Sequence, residues 1–172
     1  DPSSVQDAAV QVALRDGIGF NIGGGFHHAF PGHGEGFCAI NDIAIAIRKL
    51  QQDGAIRRAM VVDVDVHHGN GTAAIFSGDP SVFTLSIHQA NNYPSEKPLS
   101  SLDIHLPDGI GDEDYLHRLG NGYRAALTMF QPRLAIHEAF ARSLRETYGN
   151  LVLDNAVPYN VSFKECVVAR KP

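Results

Sequence analysis

Residues 60–71 constrain the chain more than any other stretch. They run Met60-Val61-Val62-Asp63-Val64-Asp65-Val66-His67 and continue His68-Gly69-Asn70-Gly71. Val62, Val64 and Val66 alternate with Asp63, Asp65 and His67, the period-two pattern of a β-strand. Side chains of a strand point to opposite faces in turn. The pattern therefore predicts one apolar face and one face carrying two carboxylates and an imidazole. An unpaired ionised carboxylate in an apolar interior is prohibitively costly. A cation is the simplest remedy, because Zn²⁺ and other divalent first-row metals accept Asp and His. A solvated edge or a hydrogen-bonded polar cluster would also satisfy the pattern. An Asp-x-Asp pair holding Mg²⁺ for phosphoryl chemistry is the competing metal reading, and the imidazole argues against it, since Mg²⁺ prefers oxygen.

The flanking sequence predicts where such a strand sits. Helical spacing covers Ser3–Arg15 and Asn41/Asp42–Gln52, a short helical turn is expected over Thr72–Phe76, and a longer helix over Asp112–Phe130. Apolar runs at Ile18–Ile22, Ser81–Ile87, Leu102–Leu106 and Leu134–Ile136 read as further strands. Strands alternating with helices argue for an α/β fold with a mostly parallel sheet. In such sheets ligands bind beyond the carboxyl ends of the strands, which would place His27-His28, Asp65, His67 and His88 on one rim.

At 172 residues and 44% hydrophobic, the chain can bury a core. A formal charge of −5 argues against a nucleic-acid binder. No apolar run is long enough for a membrane span, and no signal-peptide pattern is present. The two cysteines, Cys38 and Cys166, do not make a disulfide framework, so a reduced, cytoplasmic protein is expected.

Residues 23–38 form a glycine-rich loop that contains His27 and His28. Adjacent histidines there could act as general base and general acid for a hydrolysis, or they could be a solvent-exposed pair. A Zn²⁺ held by Asp65 and His67 would lower the pKa of a bound water to about 7 and polarise a carbonyl. Asp63 is placed to orient His27, and Asn70 to do the same more weakly for His28. Phe37 is either one wall of a narrow substrate slot or ordinary core packing. Cys38 reads as a buried small hydrophobe rather than a nucleophile. His33, His105 and His117 read as surface residues.

Taken together these segments resemble the histone deacetylase superfamily, the arginase-like zinc amidohydrolases, in their bacterial and class IV forms. The resemblance rests on Gly23–His28, Gly36–Asp42, Val62–Gly71, Phe83–His88 and Leu106–Asp112, and it runs from about residue 4 to 136. It implies a three-layer arginase/deacetylase-like sandwich with helices on both faces of the sheet. It further implies zinc (or Fe²⁺) on Asp65 and His67, His27 and His28 as the catalytic pair, and Asp63 and Asn70 as their supports. Gly36 and Phe37 would line an acyl-lysine tunnel, and a structural potassium would sit on Asp63, Asp65 and His67 with Ser86 and Ile87. The implied reaction is hydrolysis of an N-acetyl amide on a lysine of a protein or peptide. A small-molecule deacetylase acting on acetylated amines, or a catalytically dead α/β binding module, are the alternative readings. Neither direct nucleic-acid nor membrane partners are expected.

Two parts of that machinery have no counterpart in the sequence. The family's third zinc ligand is an Asp in an Ala-Gly-x-Asp segment, ten residues past the proline that ends the long helix. Here that proline is Pro132, and Arg142 stands ten residues on. The catalytic tyrosine of a later glycine-rich loop is also missing, so a truncated copy with reduced or no activity is expected. From residue 137 the texture changes. His137–Phe140, Tyr148–Asp154, Val157–Val161 and Phe163–Glu165 resemble the C-terminal end of ParA-type partitioning ATPases, although no Gly-Lys dipeptide of a P-loop is present. The expected organisation is a partial catalytic domain over residues 1–136 and a divergent or fused α/β tail over 137–172. Asp154 and Tyr159 are candidate substitutes for the missing ligand and tyrosine.

Overall fold

The computed structural model describes residues 2–129 of the chain. In order, its elements are α1 (Pro2–Asp16), α2 (Asp42–Gln52), β1 (Ala59–Asp63), α3 (Asn70–Ile75), β2 (Val82–Gln89), β3 (Leu102–Leu106) and α4 (Asp112–Met129). The chain divides into two compact units, Asp1–Ile110 and Gly111–Pro172. In the second unit the described element is α4, which opens with Asp112, Glu113 and Asp114 against the positive end of its own dipole. The expected domain boundary at 136/137, the elements predicted beyond residue 130, and Asp154, Tyr159 and Cys166 lie outside the described residues.

In the first unit the sheet has the order β1-β2-β3 and is parallel throughout, so the fold is α/β as expected. Parallel neighbours need crossover connections, and the segment carrying α3 supplies the one between β1 and β2. The register pairs Asp63 with Ser86 and His88 with His105. Ala44 and Ile47 of α2 pack with Val61 of β1, Val82 of β2 and Phe76 in one core cluster. Leu85 and Ile87 in the middle strand are each 1% exposed, and burying such a side chain contributes about 1.5–3 kcal/mol.

The start of α2 shows how one dipeptide serves two purposes. The Asn41 side chain caps the helix, its Oδ1 accepting from the Ala44 N–H at 3.0 Å. Asp42, wholly buried, turns back to accept from the N–H groups of Gly25 (3.1 Å) and Phe26 (2.8 Å). That carboxylate fixes the course of the glycine-rich loop just before His27.

Two expectations about strands are corrected. Ile18–Ile22 is not a strand; Ile18, Phe20 and Ile22 are 68%, 85% and 98% exposed. Among the described residues no strand pairs with this segment, and without a ladder an apolar run does not hold strand geometry. The second correction concerns the segment that the sequence made central. Its strand ends at Asp63, and Val64 and Val66 are about half exposed instead of forming an apolar face. Asp63 Oδ1 accepts from the Asp65 N–H (3.1 Å), and Asp65 Oδ1 from the His67 N–H (2.7 Å). These two side-chain-to-backbone bonds replace the ladder and bend the chain.

Candidate active site and metal centre

The site lies at the carboxyl end of β1, where the glycine-rich loop meets the bend over residues 63–70. His27 and His28 are 8% and 5% exposed, so they are not the solvent-facing loop pair that the sequence left open. His27 Nδ1 lies 2.6 Å from Asp63 Oδ2, and His28 Nδ1 lies 2.7 Å from Asn70 Oδ1. The Thr72 N–H donates to the His27 carbonyl at 3.0 Å, tying the loop to α3. Close approach requires glycine at several points, of which Gly69 and Gly36 touch the site side chains. A Cβ on Gly69 would collide with the Asp63 carboxylate, and one on Gly36 with the His28 ring.

The two imidazoles are tuned in opposite directions. Burial disfavours a charged His27, but the hydrogen bond and charge of Asp63, with the charge of Asp65, outweigh it and raise its pKa. Burial, with the neighbouring His27 and His67, lowers the pKa of His28 against the opposing hydrogen bond to Asn70 Oδ1. Rings 4.1 Å apart thus differ in their tendency to hold a proton. Environments that separate paired titratable groups in this way mark acid–base assignments.

Asp65 and His67 complete the arrangement. Asp65 Oδ1 lies 3.0 Å from His67 Nδ1 and 3.9 Å from His27 Nε2. Their side chains are 50% and 42% exposed, so both donors are open to an arriving cation. Ligand atoms about 2.0–2.2 Å from a tetrahedral zinc sit roughly 3.3–3.6 Å from one another, so this pair, hydrogen-bonded at 3.0 Å, would part by a few tenths of an ångström to take two corners of such a site. Asp63 and Ser86 stand side by side in the sheet register.

Phe37 is fully exposed, which excludes the core-packing alternative. It occupies a tight turn in which Glu35 and Cys38 exchange both backbone hydrogen bonds, at 3.0 and 2.8 Å. Gly36 (φ 53°) and Phe37 (φ 65°) both have positive φ, as in a type I′ turn. Positive φ costs a bulky residue backbone energy. Cys38 is buried, as expected.

His88 departs from the expected rim. It is wholly buried in β2, with Nδ1 2.9 Å from Ser86 Oγ and Nε2 2.8 Å from His105 Nδ1. Its ring packs against His68, and His68 Nε2 lies 3.2 Å from Asp103 Oδ1. Donor atoms of His68, His88 and Asp103 converge within 4.8 Å, so this group too could hold a cation. Side-chain alternation puts His88 on the same side of β2 as Ser86, and His68 and His105 close over its ring there. His105 is exposed as expected, yet it belongs to this cluster. His33 is exposed and stacked on Phe30, and His117 is exposed on α4.

Two site residues went unread in the sequence, Tyr93 and Glu35. The Tyr93 ring stands edge-on to His28 at 5.0 Å and also edge-on to His67 at 6.2 Å. Its hydroxyl donates to Glu35 Oε1 at 2.7 Å. Burial, with the Glu35 bond and charge, pushes the Tyr93 pKa up to about 12. The available signal was position, since Tyr93 follows the carboxyl end of a parallel strand.

A family model described as the histone deacetylase domain matches residues 3–155. The chain belongs to the histone deacetylase family. An uncharacterized protein of Picosynechococcus is 42% identical over 166 residues, covering 94% of this chain and 55% of the relative. A probable deacetylase of Methanothermobacter thermautotrophicus is 36% identical over 160 residues, covering 85% of this chain and 48% of the relative. The crystal structure of an HDAC homolog from Aquifex aeolicus shares the fold with a TM-score of 0.70 at 22% identity, covering 99% of this chain and 57% of that one. The chain therefore has the arginase/deacetylase-like α/β fold of this family, and spans about half the length of these relatives. The match continues to residue 155, past the change of texture at residue 137, and lends no support to a ParA-like tail.

Proposed function

We propose that this histone deacetylase family chain is an incomplete metal-dependent deacetylase centre that hydrolyses N-acetyl-lysine amides. The observation that carries the reading is the juxtaposition of two buried, oppositely tuned imidazoles with an open Asp65/His67 donor pair. A divalent cation held by Asp65 and His67, zinc or Fe²⁺, would polarise the acyl carbonyl and acidify the attacking water.

The chain's own residues carry the proton transfers. Asp63 accepts from His27 Nδ1–H and favours a proton on that ring, where positive charge would stabilise a developing oxyanion. Asn70 Oδ1 accepts from His28 Nδ1–H, which leaves the lone pair on His28 Nε2. That nitrogen takes the proton of water as the new C–O bond forms. It returns the proton to the amine as the C–N bond breaks, releasing acetate and the free amino group. Such acid–base help is worth about 10²–10⁴-fold. Phe37, with Gly36, forms one wall of the acyl-lysine slot and Tyr93 the other. A structural K⁺ on Asp63, Asp65, His67, Ser86 and Ile87 would brace the bend behind the site. At this site the described residues offer two protein ligands, Asp65 and His67, where a catalytic zinc takes three, so weak metal affinity and slow turnover are expected.

The test is metal quantification after zinc loading, together with turnover of an acetyl-lysine peptide and of an acetylated polyamine. Peptide turnover that needs metal and His28 supports the reading. Exclusive turnover of the small amine reassigns the substrate. Stable folded protein that neither takes up metal nor hydrolyses either compound overturns it in favour of a binding module.

A further inference from the structure

Glu35 links two separate parts of the site, Tyr93 and Asn70, and also meets the neighbouring His33. Its Oε1 accepts from Tyr93 Oη–H at 2.7 Å and from Asn70 Nδ2–H at 2.7 Å, and its Oε2 lies 3.3 Å from His33 Nε2. Its backbone is clamped by the paired bonds to Cys38. The carboxylate is therefore held from both ends.

The chemistry of Asn70 makes this contact consequential. An Asn amide presents an oxygen acceptor on one side and two donors on the other, and rotation by half a turn exchanges them. An ionised carboxylate only accepts, so the edge of Asn70 that faces Glu35 must be Nδ2. The opposite edge, Oδ1, then faces His28 Nδ1. A carbonyl oxygen only accepts, so the proton of neutral His28 resides on Nδ1 and its lone pair on Nε2. An Asp at position 70 would impose the same tautomer with no help from elsewhere. With Asn the imposition depends on a second acceptor.

We propose that Glu35 is a positioning residue that sets the tautomer of His28 through Asn70 and, by the same oxygen, anchors Tyr93 against the His28 ring. The hydrogen bonds from Tyr93 and Asn70 also hold the Glu35 carboxyl below its ordinary pKa, which keeps it ionised as the role requires. The inference rests on the deacetylase reading for the importance of His28 Nε2, but its geometry stands without turnover.

The experiment is ¹⁵N NMR of the histidine-labelled 172-residue chain, without metal, at a pH where imidazoles are neutral, with His28→Ala assigning the resonance. The unmodified chain is expected to show His28 as the Nδ1–H form. Glu35→Ala should raise the Nε2–H to Nδ1–H ratio roughly tenfold, the effect of losing one charge-assisted hydrogen bond. Glu35→Gln, whose carbonyl still accepts, should stay close to the unmodified chain. In Glu35→Ala with Asn70→Asp, the Nδ1–H form should return. An unchanged ratio in Glu35→Ala overturns the proposal, as does a shift that Asn70→Asp fails to restore. Because the readout is a tautomer population, absence of hydrolysis would count against the proposed function and leave this test intact.

Discussion

His67 and His68 are neighbours in sequence and belong to two regions of opposite character. The region around His67 is open. Asp65 and His67 are about half exposed, and their donor atoms face one another across 3.0 Å. The region around His68 is closed. His68 and His88 are wholly buried, and Asp103, His105, Ser86 and Ser100 supply hydrogen-bond partners to all but His68 Nδ1 among the described residues. Both groups could ligate a cation by composition alone. The difference teaches that donor chemistry is not enough. A centre that acts on a substrate needs donors that are free to exchange partners, whereas a buried network engaged at all but one nitrogen of His68 ties strands together.

The sharpest way to break this comparison is to remove Asp103. Asp103→Ala leaves buried His68 Nε2 with only the longer Ser100 contact and should cost about 1–3 kcal/mol, as for other lost buried hydrogen-bond partners, read by urea unfolding. A loss below about 1 kcal/mol would mean that the buried cluster ties nothing together. Next comes His28→Ala, expected to lower any metal-dependent acetyl-lysine turnover at least about 10²-fold, with the circular-dichroism spectrum retained. Undiminished turnover would move the chemistry elsewhere.

The third test is pH. Burial, with the charges of His68 and His105, lowers the pKa of His88 to about 4. Between that value and the ordinary 6.5 the unfolded chain binds the proton and the folded chain does not. The His88 contribution is therefore complete above pH 6.5 and is lost as pH falls towards 4. It amounts to up to about 3 kcal/mol. A His88→Gln variant should show a flatter fall over that window. An unchanged slope would assign the fall to other groups. The smallest effect on stability is expected from Asp65→Ala. In metal-free protein it should change unfolding free energy by less than about 1 kcal/mol, since the residue is half exposed. It should nevertheless abolish zinc uptake while His68, His88 and Asp103 remain in place. Zinc retained by that variant would transfer the metal centre to the buried cluster.

The sequence carried the parallel α/β pattern because apolar periodicity survives in α2, β2, β3 and α4. It also named both histidine–partner pairs, since Asp63 and Asn70 flank the bend in fixed order. What it hid follows from local competition and from distance. The run from Val62 to His67 alternates like a strand, yet Asp side chains that reach backbone N–H groups two residues on redirect it after Asp63. The Glu35–Tyr93 contact spans 58 residues, and neither residue has a periodic or motif signature of its own. Burial separated His67 from His68, and one-residue spacing alone does not say which of two adjacent histidines faces inward.

The turn that carries Phe37 has a consequence for how this molecule responds to selection. A bulky aromatic ring at positive φ, projecting fully into solvent, serves neither backbone nor core. Glycine at that position would relieve roughly 1 kcal/mol of conformational strain. A mutant library sorted only for heat resistance should therefore drift away from Phe37, whereas one sorted for capture of an acylated side chain should keep it. Position 37 is where durability and recognition pull the sequence in different directions.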